Sequence, residues 1–89
     1  MNFTGKTVVV TGSASGIGQA TAEAFAAHGA TVVLADLALD KARDVAAGIT
    51  AKGGKAVAIH LDVADDASIA RFATEAATAV GEVHILANV

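Results

Sequence analysis

Residues 7–18 read Thr7-Val8-Val9-Val10-Thr11-Gly12-Ser13-Ala14-Ser15-Gly16-Ile17-Gly18, and this stretch decides the fold. Its first four residues form a β-branched run without polar alternation, the pattern of a strand buried on both faces of a parallel sheet. From Gly16 to His28 the residues Ile17, Ala20, Thr21, Ala24, Phe25 and His28 recur at helical spacing, and Gly29 caps the helix. Gly12, Gly16 and Gly18 therefore sit where a strand hands over to a helix. Glycine tolerates the backbone angles of a tight turn, and its missing Cβ lets a pyrophosphate approach the chain. The N–H groups of the first helical turn then face the anion. The stretch reads as a phosphate-binding turn.

Downstream the alternation repeats. Thr31 to Ala35 is a second β-branched run, ending in Asp36. From Asp40 to Lys52, Ala42, Val45, Ala46 and Ile49 share one helical face while Asp40, Lys41, Arg43 and Asp44 share the other. Gly48 inside this helix costs about 1 kcal/mol relative to alanine, and Gly53-Gly54 ends it. Ala56 to Leu61 is a third strand, closing with Asp62 and Val63. Asp65 N-caps a third helix with an expected buried face of Ile69, Phe72, Ala73, Ala76 and Val80. Gly81 ends it, and Val83 to Asn88 forms a fourth strand. Strict strand–helix alternation predicts an α/β, Rossmann-like, doubly wound parallel sheet of four strands in the order 3-2-1-4. Right-handed crossovers put the first two helices on one face and the third on the other. Ligands in such sheets bind beyond the carboxyl ends of the strands, where the winding reverses. That point lies above Thr11–Gly18.

Bulk properties narrow the function. The chain has 89 residues, 54% apolar and 17% charged, which excludes disorder and allows at most one domain. With a net charge of -3 and scattered lysines and arginines, it offers no basic stripe to a nucleic acid. Without cysteine it has neither a disulfide framework nor a thiolate metal site. The uncharged run Thr7–Ala22 is too polar and short of the roughly 18 apolar residues of a membrane span, and no secretory signal opens the chain. No membrane partner is expected, and the cytoplasm is the expected compartment.

A P-loop requires a lysine and a serine or threonine at the helix start, whereas Gln19 and Ala20 follow Gly18 here, so nucleotide hydrolysis is excluded. The glycine spacing also departs from the G-x-G-x-x-G fingerprint. It matches TGxxxGIG, and in this the chain resembles the short-chain dehydrogenases and reductases. The resemblance implies that Asp36 accepts hydrogen bonds from the adenosine ribose hydroxyls, and that Asp62-Val63 contacts the adenine through side chain and backbone. It implies that Asn88, the first asparagine of an NNAG-like segment that continues with Val89, lies near the cofactor ribose. Thr11 resembles the threonine tying the turn to a neighbouring strand, Ser13 and Ser15 the turn hydroxyls, and the Ile17 N–H the pyrophosphate donor. The expected cofactor-binding set is Gly12, Ser13, Ser15, Gly16, Ile17, Gly18, Asp36, Asp62, Val63 and Asn88. NADP-preferring members place arginine or lysine near the acidic residue or before the second glycine, where this chain has Leu37 and Ser15. A 2′-phosphate beside Asp36 would meet like charge. NAD is expected over NADP.

The family's Tyr-x-x-x-Lys pair, which exchanges a proton with a secondary alcohol or ketone during hydride transfer, has no counterpart, since the chain contains no tyrosine. No catalytic residue and no metal ligand are assigned. His28 reads as a residue near a helix end, and His60 and His84 as structural histidines. Residues 1–89 thus read as the incomplete, cofactor-binding N-terminal portion of a short-chain oxidoreductase, inactive by itself, whose full-length form would be a homo-oligomer. A non-catalytic nucleotide-binding module is the alternative. A structural dimer joined through the exposed edge of the fourth strand also stays open.

Overall fold

The computed structural model describes residues 2–88. Its elements alternate as β1 (Thr7–Thr11), α1 (Gly16–Ala27), β2 (Thr31–Asp36), α2 (Leu39–Ala51), β3 (Lys55–His60), α3 (Asp66–Val80) and β4 (Ile85–Asn88). The four strands form one parallel sheet in the order β3-β2-β1-β4. Element ends shift by a residue or two from the sequence expectation.

The sheet is the core because its central strands are apolar on both faces. Val8, Val10, Val32, Val33 and Leu34 have no exposed area, and each burial contributes about 1.5–3 kcal/mol relative to exposure. Alternate residues point to opposite sides. Val8, Val10, Val32 and Leu34 pack with Ala22 of α1 and Ala42, Ala46 and Ile49 of α2. Val9, Val33, Ala35 and Ile59 pack with Ala76 of α3, flanked by Phe72 and Val80. The helices are distributed over the two faces as the crossover rule requires.

One helix is rotated from the face that apolar periodicity suggests, and a second departs from it only in part. In α1, Ile17 is 76% exposed, whereas Gly18 and Ala22 are buried. The cause is steric: a Cβ on Gly18 would lie 1.9 Å from the Gly12 carbonyl oxygen, so the helix turns its smallest residue toward the preceding turn. In α3 the expected Phe72, Ala76 and Val80 do face the core, whereas Ile69 and Ala73 are exposed and Ser68 is buried. Asp65 caps α3 as expected, its carboxylate accepting from the Ala67 N–H at 3.0 Å.

The fourth strand begins at Ile85 rather than Val83 because His84 is engaged sideways. Its Nδ1 accepts the Thr7 N–H at 3.0 Å, and its own N–H donates to the Thr7 carbonyl at 3.0 Å. His84 is a structural histidine that starts the β1–β4 ladder. α3 covers β2 and β3, so Leu86, next to Val9 in the sheet, stays 65% exposed and Val83 40% exposed. Among the described residues no helix is long and apolar enough to cross a membrane.

Candidate functional site

The strands end together at one edge of the sheet, where β1 delivers Thr11 and Gly12, β2 delivers Asp36, and β4 delivers Asn88. These residues line a cleft of about 280 Å³ whose far wall is Leu61, Asp62 and Val63, beyond β3. Five of the ten residues expected at a cofactor site, Gly12, Asp36, Asp62, Val63 and Asn88, thus meet around one opening. Ser15, Gly16 and Ile17 lie outside its lining, exposed on the adjoining turn.

The three glycines have different tasks. Gly12 and Gly16 adopt φ of 64° and 48°, the left-handed region that side chains resist. Gly18 has ordinary helical geometry and is needed for close packing against Gly12. It is buried, so its contribution to binding is the shape of the turn. Ser13 is also buried, its hydroxyl donating to the Ala35 carbonyl at 3.4 Å. Of the two turn hydroxyls only that of Ser15 is at the surface. Ser15 is the N-cap of α1 yet makes no side-chain capping bond. Gly18 and Gln19 donate their N–H groups to the Ser15 carbonyl, while the Gly16 and Ile17 N–H groups precede the helical ladder and have no intrahelical acceptor. A helix start with free N–H groups, a free hydroxyl and the positive end of the dipole suits an anion.

Asp36 is held on both sides. One carboxylate oxygen accepts the Ala14 N–H at 2.9 Å, within the glycine turn, and the other accepts the Ala38 N–H at 2.8 Å. Each oxygen keeps a second lone pair for a hydroxyl. Thr11 donates from Oγ1 to Asn88 Oδ1 at 2.8 Å, the tie between the turn and a neighbouring strand that its resemblance suggests. Val89, which follows Asn88 in the NNAG-like segment, lies outside the described residues.

Two further residues belong to the cleft and its support. Leu37, 65% exposed, lines the cleft together with Val63, 72% exposed, so two apolar side chains border the opening. The sequence marks Leu37 only as the uncharged residue after Asp36, not as a wall of the cleft. The other is Ser68, buried under the Asp62–Val63 loop, whose Oγ accepts the Asp62 N–H at 2.9 Å.

A larger groove of about 750 Å³ opens between α1 and α2, near Glu23, Lys52 and Gly54. It lies by the C-terminal ends of both helices, away from the strand ends, and none of the expected residues line it. No group of three His, Asp or Glu side chains among the described residues could hold a metal ion.

Residues 6–89 match the family model described as short chain dehydrogenase. The chain is 49% identical over 88 residues to a sorbitol dehydrogenase of Cereibacter sphaeroides, covering 99% of this chain and 33% of that protein. Its structure superposes on a hydroxysteroid dehydrogenase from Escherichia coli with a TM-score of 0.94 at 36% identity, covering 98% of this chain and 37% of that one. A second solved structure, a 7α-hydroxysteroid dehydrogenase in complex with NADH and 7-oxo glycochenodeoxycholic acid, matches with a TM-score of 0.91 at 35% identity, covering 96% and 33%. The chain spans about a third of the length of the curated relatives it matches.

Proposed function

The chain belongs to the short-chain dehydrogenase family, and from that membership we propose that it is the NAD-binding part of an oxidoreductase acting on a secondary alcohol or ketone. The observation that carries this reading is the convergence of Asp36, Asp62, Val63 and Asn88 on one cleft beside the glycine turn. The solved relative bound to NADH supports the cofactor class.

The donor set fits a dinucleotide. The Gly16 and Ile17 N–H groups and the Ser15 hydroxyl hold the pyrophosphate on the start of α1. Asp36 would accept the adenosine ribose hydroxyls, Asp62, Val63 and Leu37 would border the adenine, and Asn88, oriented by Thr11, would stand by a ribose. When bound, the nicotinamide supplies the hydride acceptor or donor. The sequence contains no tyrosine, so no proton-transferring side chain is assigned to it, and catalysis belongs to the longer enzyme. That enzyme would be a cytoplasmic homo-oligomer. The exposed Leu86 and Val83 support this reading over a free-standing binding module, which gains from covering an apolar edge.

Calorimetric titration of the 89-residue chain tests the proposal. Saturable binding of NADH and of ADP-ribose is expected, with no oxidation of alcohols or reduction of ketones. A chain that takes neither ligand would overturn the cofactor reading, and measurable turnover would overturn the assignment of catalysis elsewhere.

A further inference from the structure

We infer that Ser68 is a positioning residue for the adenine-binding loop, fixing Asp62–Val63 at the cleft through a buried hydrogen bond from inside α3. The inference rests on the cofactor reading above and adds to it a residue outside the cleft.

The loop after β3 is held in two ways. Locally, Asp62 closes on its own segment: Oδ1 accepts the Ala64 N–H at 3.0 Å, and its carbonyl accepts the Asp65 N–H at 3.1 Å. The first stays within the loop, the second joins it to Asp65, the N-cap of α3, and one residue earlier the Leu61 N–H donates to the Asp36 carbonyl at 3.1 Å; none of them holds the Asp62 N–H itself. The Asp62 N–H reaches outside the segment, donating to Ser68 Oγ at 2.9 Å. Ser68 is 1% exposed in the first turns of α3, a helix anchored to the core by Ala76, Phe72 and Val80. The bond therefore ties the backbone of the loop to a rigid body at the residue preceding Val63. Val63, 72% exposed, has little packing to hold it there. A serine on an apolar helix face is otherwise a poor choice, because alanine has the higher helix propensity and needs no polar partner.

The test compares the wild-type chain with Ser68→Ala and Ser68→Cys, the second filling the same space with a weak acceptor. Three readouts are taken by NMR: affinity for ADP-ribose, affinity for inorganic pyrophosphate, and exchange of the Asp62 amide. Loss of one neutral hydrogen bond predicts faster Asp62 exchange and an ADP-ribose affinity lower by about two- to tenfold, with pyrophosphate affinity unchanged in whichever variant folds. If both ligands weaken in parallel, Ser68 acts through the fold as a whole and the inference is overturned. Faster Asp62 exchange with unchanged ADP-ribose affinity overturns it too. A wild-type chain that binds pyrophosphate but not ADP-ribose instead removes the adenosine reading on which the inference stands, and the inference with it.

Discussion

The Asp36 carboxylate accepts the Ala14 N–H at 2.9 Å, joining the end of β2 to the middle of the glycine turn after β1. The residue expected to read the ribose is therefore also the clasp of the glycine turn. Asp36→Ala removes both contacts. NAD affinity in calorimetry is expected to fall by about 1.5 to 3 kcal/mol, the range for hydrogen bonds to a charged group. Inorganic pyrophosphate, which does not need the ribose pocket, should also bind about two- to tenfold more weakly, since the turn loses one tie. Unchanged NAD affinity would sink the Asp36 assignment, and unchanged pyrophosphate affinity would leave it the ribose role alone.

Gly16 and Gly18 separate conformational from steric demand. Gly16→Ala meets open space but must hold φ of 48°, at a cost of about 1–2 kcal/mol. Gly18→Ala places a methyl 1.9 Å from the Gly12 carbonyl oxygen, backbone against backbone, so α1 or the turn must move. Overpacking of this kind costs about 3 kcal/mol and should also distort the pyrophosphate seat. Urea unfolding of both variants checks the order. If Gly16→Ala proves the more destabilising, close packing is not the reason for glycine at position 18.

The fold was legible because its strongest signals are long-range in logic and local in sequence. Unbroken β-branched strands alternating with helices permit few topologies, and the glycine turn locates the first crossover. The rotation of α1 and the burial of Ser68 rather than Ile69 in α3 are not legible. Both helices are rich in alanine on every side, so periodicity of larger side chains points to Ile17 and Ile69, whereas the buried positions there are Gly18, Ala22 and Ser68. Where backbones approach closely, small residues go inside. For the same reason Ser68 was overlooked, since a serine early in a helix ordinarily reads as solvated. Ser13 reads from the sequence as a turn hydroxyl, but its side chain donates to the Ala35 carbonyl. In a turn so tight, side-chain direction follows from torsions that residue type does not fix. The gathering of Asp36, Asp62 and Asn88 is legible, because Asp36 and Asn88 end their strands and Asp62 lies two residues past the third in one parallel sheet.

Cofactor choice should reside in Asp36 and Leu37. A 2′-phosphate on the ribose would place like charge against the carboxylate, and the adjoining residue is an exposed leucine without a compensating cation. NADP is expected to bind at least about tenfold more weakly than NAD, since like-charge juxtaposition costs several kcal/mol. The double substitution Asp36→Ser with Leu37→Arg should reverse the order by replacing repulsion with a guanidinium suited to phosphate. Competitive titration of the two cofactors measures this. Equal affinities in the unaltered chain would remove Asp36 as the discriminating group.

Gly48 is a site where stability can be gained without touching the cleft. It lies exposed within α2 and is not among the glycines with positive φ. A Cβ built there meets nothing within 4 Å. Alanine should therefore be accepted with no clash, while the unfolded chain loses conformational freedom and the helix gains propensity. Both effects favour the folded state, together by about 1 kcal/mol, which for a domain of this size raises Tm by about 4–8 °C. Because position 48 does not line the cleft, NADH affinity should be unchanged. The urea m-value should also hold, since the surface exposed on unfolding barely differs. A Tm that does not rise would mean that α2 is frayed at this point in solution, and that its C-terminal turns do not contribute the helical structure on which Ile49 is buried.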